Sequence, residues 1–315
     1  MPDVPVFDHD AVLAAVSPEE TIDRVRDAFV RFAHGEWRMP AKVYLDARPN
    51  GDFRAMPAAG GGVAILKWVT SFPRNPERGL PTVTGVLCVS SLDDGEPLAL
   101  CDARAVTALR TGAVAAVAAQ ELAREDAACV GVVGCGLHGG WAARCLAAAE
   151  YGPGLLFDPD PEAAGALAGE LGWEVGARAD ALECDVVTCV TPGHEPVICA
   201  SDLRPGLHLS MLGADGPGKA EAEIEAVERC ELFCDEWEQA SHGGELTGAV
   251  DAGRIGRERV TELGDVLIGR RPGRGFDEAV TLFDSPGLAI QDLAICRALL
   301  EARSDGRARV ANVSL

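Results

Sequence analysis

One turn constrains this chain more than any other feature. The apolar run Cys129–Val133 leads into Gly134-Cys135-Gly136-Leu137-His138-Gly139, and a helical stretch, Gly140–Tyr151, follows. After the run LLF (155–157) comes an acid, Asp158, 19 residues beyond Gly139. Strand, glycine turn, helix, strand and terminal acid, in that order, predict a βαβ unit that binds a dinucleotide. Gly134 permits the tight turn, Gly136 lets the backbone approach a pyrophosphate, and Gly139 lets helix and strand pack closely. The pyrophosphate would rest on the helix N-terminus, where N–H groups and the helix dipole favour anions. Asp158 is placed to accept hydrogen bonds from the ribose hydroxyls. Its charge repels a 2′-phosphate, so NAD is expected over NADP. His138 reads as a bystander beside the phosphates.

Around this turn the chain changes character twice. Ser17-Pro18-Glu19-Glu20 reads as N-cap, first-turn proline and capping-box acid, with Ile22, Val25, Phe29 and Phe32 recurring at helical spacing up to Gly35. From 41 to 101 short β-rich runs (AKVYLD, DFRAM, VAILKWVTSF, TVTGVLCVSS, PLALCD) alternate with the turn clusters RPNGD, AAGGG, RNPERGLP and DDGE. An alanine-rich helix, Ala103–Arg124, then leads into alternating strands and helices, with further strands in DVVTCV (185–190), LHLSML (207–212) and ELFCD (231–235). That alternation predicts a parallel sheet. A long helix, LAIQDLAICRALLEARS (288–304), is expected to pack back on the N-terminal unit. The expected fold class is α/β: a Rossmann-type doubly wound parallel sheet plus a smaller α+β unit.

Composition narrows the functions. At 315 residues the chain suits two domains. A net charge of −21 repels nucleic acid and anionic membrane surfaces, so neither is an expected partner. The start MPDVPVFDHD has no secretory signal, and Ala113–Ala119 is far short of a membrane span, so a cytoplasmic protein is expected. The acidity fits a GC-rich genome, a salt-rich cytoplasm, or both. The 11 cysteines include no CxxC and lie mostly in apolar runs. Zinc spacing and a disulfide framework both fit poorly, and the thiols read as small hydrophobes.

Only three lysines occur, Lys42, Lys67 and Lys219, in a chain with 28 basic residues. Lys42 and Lys67 lie on strand candidates among apolar neighbours, where a charge is costly unless paired. With Arg54 and Arg110 they read as a pocket for a small carboxylate, in which arginine forks bind and a lysine of lowered pKa moves protons. The competing reading is a set of edge-strand solubility charges. In GADGPGKAE (213–221), after the strand LHLSML, Asp215 falls outside the carboxyl end of a sheet strand, where ligands bind; the competing reading is a solvated turn aspartate. Glu236, Glu238, His242 and Glu245 resemble a metal cluster, but the spacing matches no compact site and no metal is expected.

Taken together, MPAKVYL (39–45), GDFRAMPA (51–58), LKWV (66–69) with PRNPERGLPT (73–82), DARAVTALRTGA (102–113), GCGLHG, LGADGPGKAE (212–221), QASHGGE (239–245) and FDSPGLAIQD (283–292) resemble the ornithine cyclodeaminase/mu-crystallin family. Within it they are most similar to the archaeal alanine dehydrogenase branch. The resemblance implies a homodimer with a substrate-binding and dimerisation domain (1–118 with 291–315) and an NAD-binding Rossmann domain (119–290). It implies that Lys67 exchanges protons with the substrate, Asp215 is its acid/base partner, and Arg110 lies between substrate carboxylate and cofactor. Lys42 and Arg54 match substrate-facing positions. Leu137 and His138 match loop positions at the pyrophosphate, and Thr111, Lys219 and Ser285 match positions at the cofactor. The implied reaction is NAD-dependent oxidation of a small amino acid, most simply L-alanine. Ornithine cyclodeamination, reduction of a ketimine or pyrroline carboxylate, and non-catalytic nucleotide binding stay open. Ornithine cyclodeaminases typically carry Arg where Lys42 stands and tend to be longer, which favours simple oxidative deamination.

Overall fold

Ser17 accepts the N–H of Glu20 and opens the helix Pro18–Ala33, with Pro18 supplying a backbone already bent for the first turn. Its apolar stripe, Ile22, Val25, Ala28 and Phe29, is buried. The computed structural model describes residues 3–193, 195–216 and 218–314. These form two units, Met1–Arg110 with Leu288–Leu315, and Thr111–Gly287. The border lies inside the helix Ala103–Leu122, between Arg110 and Thr111, rather than after residue 118. Gly112 lies just inside the second unit. A Cβ there would come within 2.4 Å of the Trp141 carbonyl oxygen of the same unit, so the two backbones approach closely.

The first unit carries a seven-stranded mixed sheet. Its strands are β1 (Asp3–Phe7), β2 (Val43–Asp46), β3 (Asp52–Gly60), β4 (Val63–Ser71), β5 (Val83–Ser91) and β6 (Pro97–Asp102), with the C-terminal strand Ala311–Ser314 at one edge. From β6 through β5, β4 and β3 to β2 every pairing is antiparallel. Side chains alternate across such a sheet, so register decides each strand's two faces. Val63, Ile65, Lys67, Val69 and Ser71 of β4 are buried, whereas Leu66 and Trp68 are exposed. Val69 is thus buried, while its neighbour Trp68, on the opposite face, is 37% exposed. The inner face is covered by the closing helix, Ala289–Ser304, which packs on β3, β4 and the helix Pro18–Ala33.

The second unit is the expected doubly wound α/β layer. Its strands are β7 (Val130–Val133), β8 (Gly154–Phe157), β9 (Glu174–Val175), β10 (Val186–Cys189), β11 (His208–Met211), β12 (Glu231–Cys234), β13 (Val260–Glu262) and β14 (Thr281–Asp284). They form one sheet in the order β13-β12-β14-β11-β10-β7-β8-β9, and every pairing is parallel. Strands β7, β10, β11 and β14 are buried throughout, as strands of a sheet covered on both sides must be. Cys129 and Cys184 form a disulfide, with Cα atoms 4.8 Å apart, where thiols were expected. The reason is adjacency: β7 and β10 are paired neighbours, and Cys129 lies one residue, Cys184 two residues, before its strand. Among the described residues no helix is long and apolar enough to cross a membrane.

Candidate functional site

In the first unit the inner face of the sheet carries charge. Register sets Lys67 between Met56 on β3 and Leu87 on β5, and Arg54 opposite Val69, so Arg54 and Lys67 share that face. Both are buried, at 6% and 2% exposure. Asp52 accepts from the Arg54 Nε at 2.6 Å, and the Arg54 guanidinium lies over the Tyr44 ring, 5.5 Å from its centroid. Lys42 immediately precedes β2 and is half-buried. Arg110, near the middle of its helix, donates Nη1 to Gln291 Oε1 at 3.4 Å. The lysine itself donates to Asp292 Oδ1 at 2.9 Å.

Asp292 is wholly buried, in the first turn of the closing helix, where the helix dipole favours a negative charge. Burial pulls the Lys67 ammonium below its ordinary lysine value; Asp292 opposes that pull and the like charge of Arg110 adds to it. Three buried polar atoms around this cluster, Arg110 Nε, Gln291 Nε2 and Asp292 Oδ2, have no hydrogen-bond partner among the described residues. Such atoms are expensive to leave unmet, and a small ligand with a carboxylate and an amine or imine would meet them.

In the second unit the glycine turn opens a helix sooner than the spacing suggests: the helix is Leu137–Ala148, with Gly136 as N-cap and no side chain capping it. The helix therefore starts inside the motif, and its first N–H groups point outward from the turn. Gly134 has φ +98°, a left-handed conformation that favours glycine. A Cβ on Gly139 would sit 1.7 Å from the Gly134 carbonyl oxygen, whereas one on Gly136 would meet nothing within 4 Å. The open space lies over the glycine expected to approach a pyrophosphate. An anion fits this cradle, with Leu137 and His138 beginning the helix beneath it. Asp158 follows β8, and its two oxygens accept the N–H groups of Cys135 (2.6 Å) and Asp160 (2.8 Å). Each oxygen keeps a lone pair for a ribose hydroxyl.

Of the other expected residues of this unit, Asp215 and Ser285 follow the carboxyl ends of strands, and Thr111 lies on the helix Ala103–Leu122. Asp215, in the loop after β11, is paired with Lys219 at 2.6 Å; Pro217 of the same motif lies outside the described residues. Ser285, just past β14, donates its hydroxyl to Asp235 at 2.8 Å. Thr111 Oγ1 is buried with no partner among the described residues. The quartet Glu236, Glu238, His242 and Glu245 is not gathered: Glu236 caps its own helix, and His242 contacts Ser241 and the Glu238 carbonyl.

A family model described as the ornithine cyclodeaminase/mu-crystallin family matches residues 6–307. The chain belongs to this family. Among its members, an alanine dehydrogenase of Archaeoglobus fulgidus is 39% identical over 303 residues, 94% of each chain. A solved structure described as an archaeal alanine dehydrogenase dimer with bound NAD superposes with TM-score 0.94 at 37% identity, covering 100% of both chains. The structure of a Thermococcus litoralis pyrroline-2-carboxylate reductase with NADH and L-proline superposes with TM-score 0.92 at 25% identity, covering 99% of this chain and 100% of that one.

Two sets of buried contacts in this family member were not foreseen, although Glu245 was noted as part of an apparent metal cluster. Asp292 and Gln291 sit in an apolar helical run, and nothing in their spacing announces a charged partner. Glu221 and Glu245 form the second set. Glu221 accepts the N–H groups of Thr191 (2.6 Å) and Gly213 (2.7 Å), tying together the loops that follow β10 and β11. Glu245 accepts from the backbone of Glu221 (2.8 Å) and Ala222 (2.7 Å). Burial, then the neighbouring Glu221, pushes Glu245 up to about 8 from 4.5. Glu221 is raised by burial too. The folded protein thus holds protons that the unfolded chain releases, so stability should fall as pH rises from about 4.5 through about 8. Thermal melts at pH 5, 6.5 and 8 should show a declining Tm, with a flatter decline in Glu245→Gln. An equal slope in both proteins would assign the decline to other groups.

Proposed function

We propose that the chain is an NAD-dependent amino acid dehydrogenase that converts L-alanine, NAD and water to pyruvate, ammonium, NADH and a proton. The observation that carries this reading is Lys67, an ammonium buried beside Arg110 on the inner sheet face, between the apolar Met56 and Leu87. A solubility charge does not belong there. The whole-length likeness to alanine dehydrogenases supports the same substrate class.

The bound cofactor supplies a hydride acceptor at nicotinamide C4. The protein's own part is binding and proton management. Arg54 and Arg110 hold the substrate carboxylate with their planar forks, and Lys42 adds a further cation at the substrate. Lys67 and Asp215 hold and move protons as water adds to the imine and ammonia departs. The Gly136 cradle and the Leu137 and His138 N–H groups carry the pyrophosphate. Asp158 takes the ribose hydroxyls, with Thr111, Lys219 and Ser285 at the rest of the cofactor.

A second copy of the chain is the expected partner. Leu66, Trp68 and Val86 point from the outer face of the first sheet, as do Val43 and Leu45 by their register with β3, and all five are exposed. An apolar patch of this kind marks an interface.

The likeness to pyrroline-2-carboxylate reductase favours one rival, reduction of a cyclic imine. Parallel assays separate the readings: NADH formation from L-alanine, NADH consumption with pyrroline-2-carboxylate, proline release from ornithine, or none of these. NADH formation from alanine is the expected result. Asp158 yields a further expectation. The unaltered protein should prefer NAD, and Asp158→Ser should narrow its preference over NADP by about tenfold, or about 1.4 kcal/mol. Competitive binding titrations read this directly, and an unaltered protein that prefers NADP would show that the acid is misassigned.

A further inference from the structure

We propose that Asp292 is a positioning residue that aims the Lys67 ammonium and keeps it in its charged, proton-donating form. The inference rests on the reading of Lys67 as the proton-transferring group. Its basis is the geometry of a cation and an anion brought together from opposite ends of the chain, both withdrawn from water, with Nζ and Oδ1 2.9 Å apart.

Stability does not explain the pair. Removing a carboxylate and an ammonium from water costs several kcal/mol per ion, and well-packed apolar residues at such positions are often neutral or stabilising. Nor is the pair isolated. The Arg110 Nε lies 3.9 Å from the same Asp292 oxygen, so one carboxylate serves two cations. Its other oxygen, Oδ2, has no partner among the described residues. A carboxylate placed only to neutralise Lys67 would be better satisfied.

The groups around Lys67 determine what Asp292 does. Met56 and Leu87 flank it across the sheet and carry no charge. The closing helix contributes Asp292 and Cys296, the helix Ala103–Leu122 contributes Arg110, and Cys101 of β6 hydrogen-bonds Cys296. Arg54 shares the inner face from β3. Burial and Arg110 both drive Lys67 toward the neutral amine, and the Asp292 carboxylate opposes them. Asp292 also sits in the first turn of its helix, where Gln291 Oε1 accepts the Leu288 N–H at 3.2 Å and braces that turn. The carboxylate is therefore held on a rigid element, and the flexible lysine side chain is held by it.

The low lysine count provides a direct test. Protein labelled with carbon-13 at lysine Cε should give three signals, assigned with Lys42→Arg and Lys219→Arg. In Asp292→Asn the Lys67 signal should titrate lower than in the unaltered protein by about one pH unit or more, because burial and Arg110 act unopposed. The alkaline limb of kcat/KM should move the same way. A merely structural Asp292 would lower activity without moving either. An unchanged Lys67 midpoint in a folded Asp292→Asn protein overturns the proposal. Should Asn at this position prevent folding, Asp292→Glu keeps the charge but displaces it by one methylene. The Lys67 midpoint should then stay near its original place while kcat falls about tenfold or more; an unchanged kcat counts against the proposal. The titration needs no substrate. Failure to turn over alanine would therefore defeat the functional reading while leaving Asp292 tested on its own.

Discussion

Lys67→Ala should lower turnover at least ~10²-fold, the scale of losing a general acid–base group, while NADH binding stays nearly intact. The glycine cradle proposed to hold the pyrophosphate belongs to the second unit, and residue 67 belongs to the first. Lys67→Arg should fail as well, because a guanidinium keeps the positive charge but does not release its proton near neutral pH. One complication follows from Asp292. Alanine at position 67 strands a wholly buried carboxylate, and breaking a buried pair from one side costs about 3–5 kcal/mol. Lys67→Met combined with Asp292→Asn removes both charges and keeps apolar volume, so it separates lost chemistry from lost stability. Initial rates beside NADH fluorescence titrations and thermal melts read all three quantities. If Lys67→Arg keeps most of the activity, Lys67 supplies only charge to the carboxylate, and proton transfer passes to Asp215 or Lys42.

Gly136→Ala should weaken NADH binding about 10²-fold, or ~2.7 kcal/mol, with little change in Tm. Gly136 has φ −65° and ψ −170°, which any residue adopts, and an added Cβ would meet nothing within 4 Å. The fold tolerates the methyl group; the pyrophosphate does not. Gly139→Ala should behave differently. Its Cβ would lie 1.7 Å from the Gly134 carbonyl oxygen, so the turn itself must shift, and both Tm and affinity should drop. Fluorescence titration beside thermal melts distinguishes the two variants. Unchanged affinity in Gly136→Ala would mean that the pyrophosphate does not rest over Gly136.

The contrast between these glycines also separates local from distant information. Gly134, Gly136 and Gly139 act on backbone within a few residues, so the left-handed turn at Gly134 and the close approach at Gly139 were legible from spacing alone. Asp158 was legible for the same reason, because one strand and one turn place it. Lys67 and Arg110 were legible as anomalies, one a cation in an apolar strand and the other a cation in an alanine-rich helix. Lys219 was singled out as rare, yet its pairing with Asp215 four residues away was not foreseen.

Local interactions by themselves determined the glycine turn, the parallel βαβ repeat, the capped helix at Ser17 and the period-two strands around Lys67. Each depends on dihedral preferences or hydrophobic spacing that a short window of residues expresses. Only the tertiary structure decided which groups meet. Asp292 lies 225 positions from Lys67, and a lone carboxylate on a helix gives no sign of whether it faces water or a buried ammonium. Cys129 and Cys184 are joined because β7 and β10 are neighbours, a matter of strand order. Trp68 remains exposed because the closing helix covers the opposite face of its sheet. Spacing says which residues share a face; burial of that face depends on packing between segments far apart in the chain.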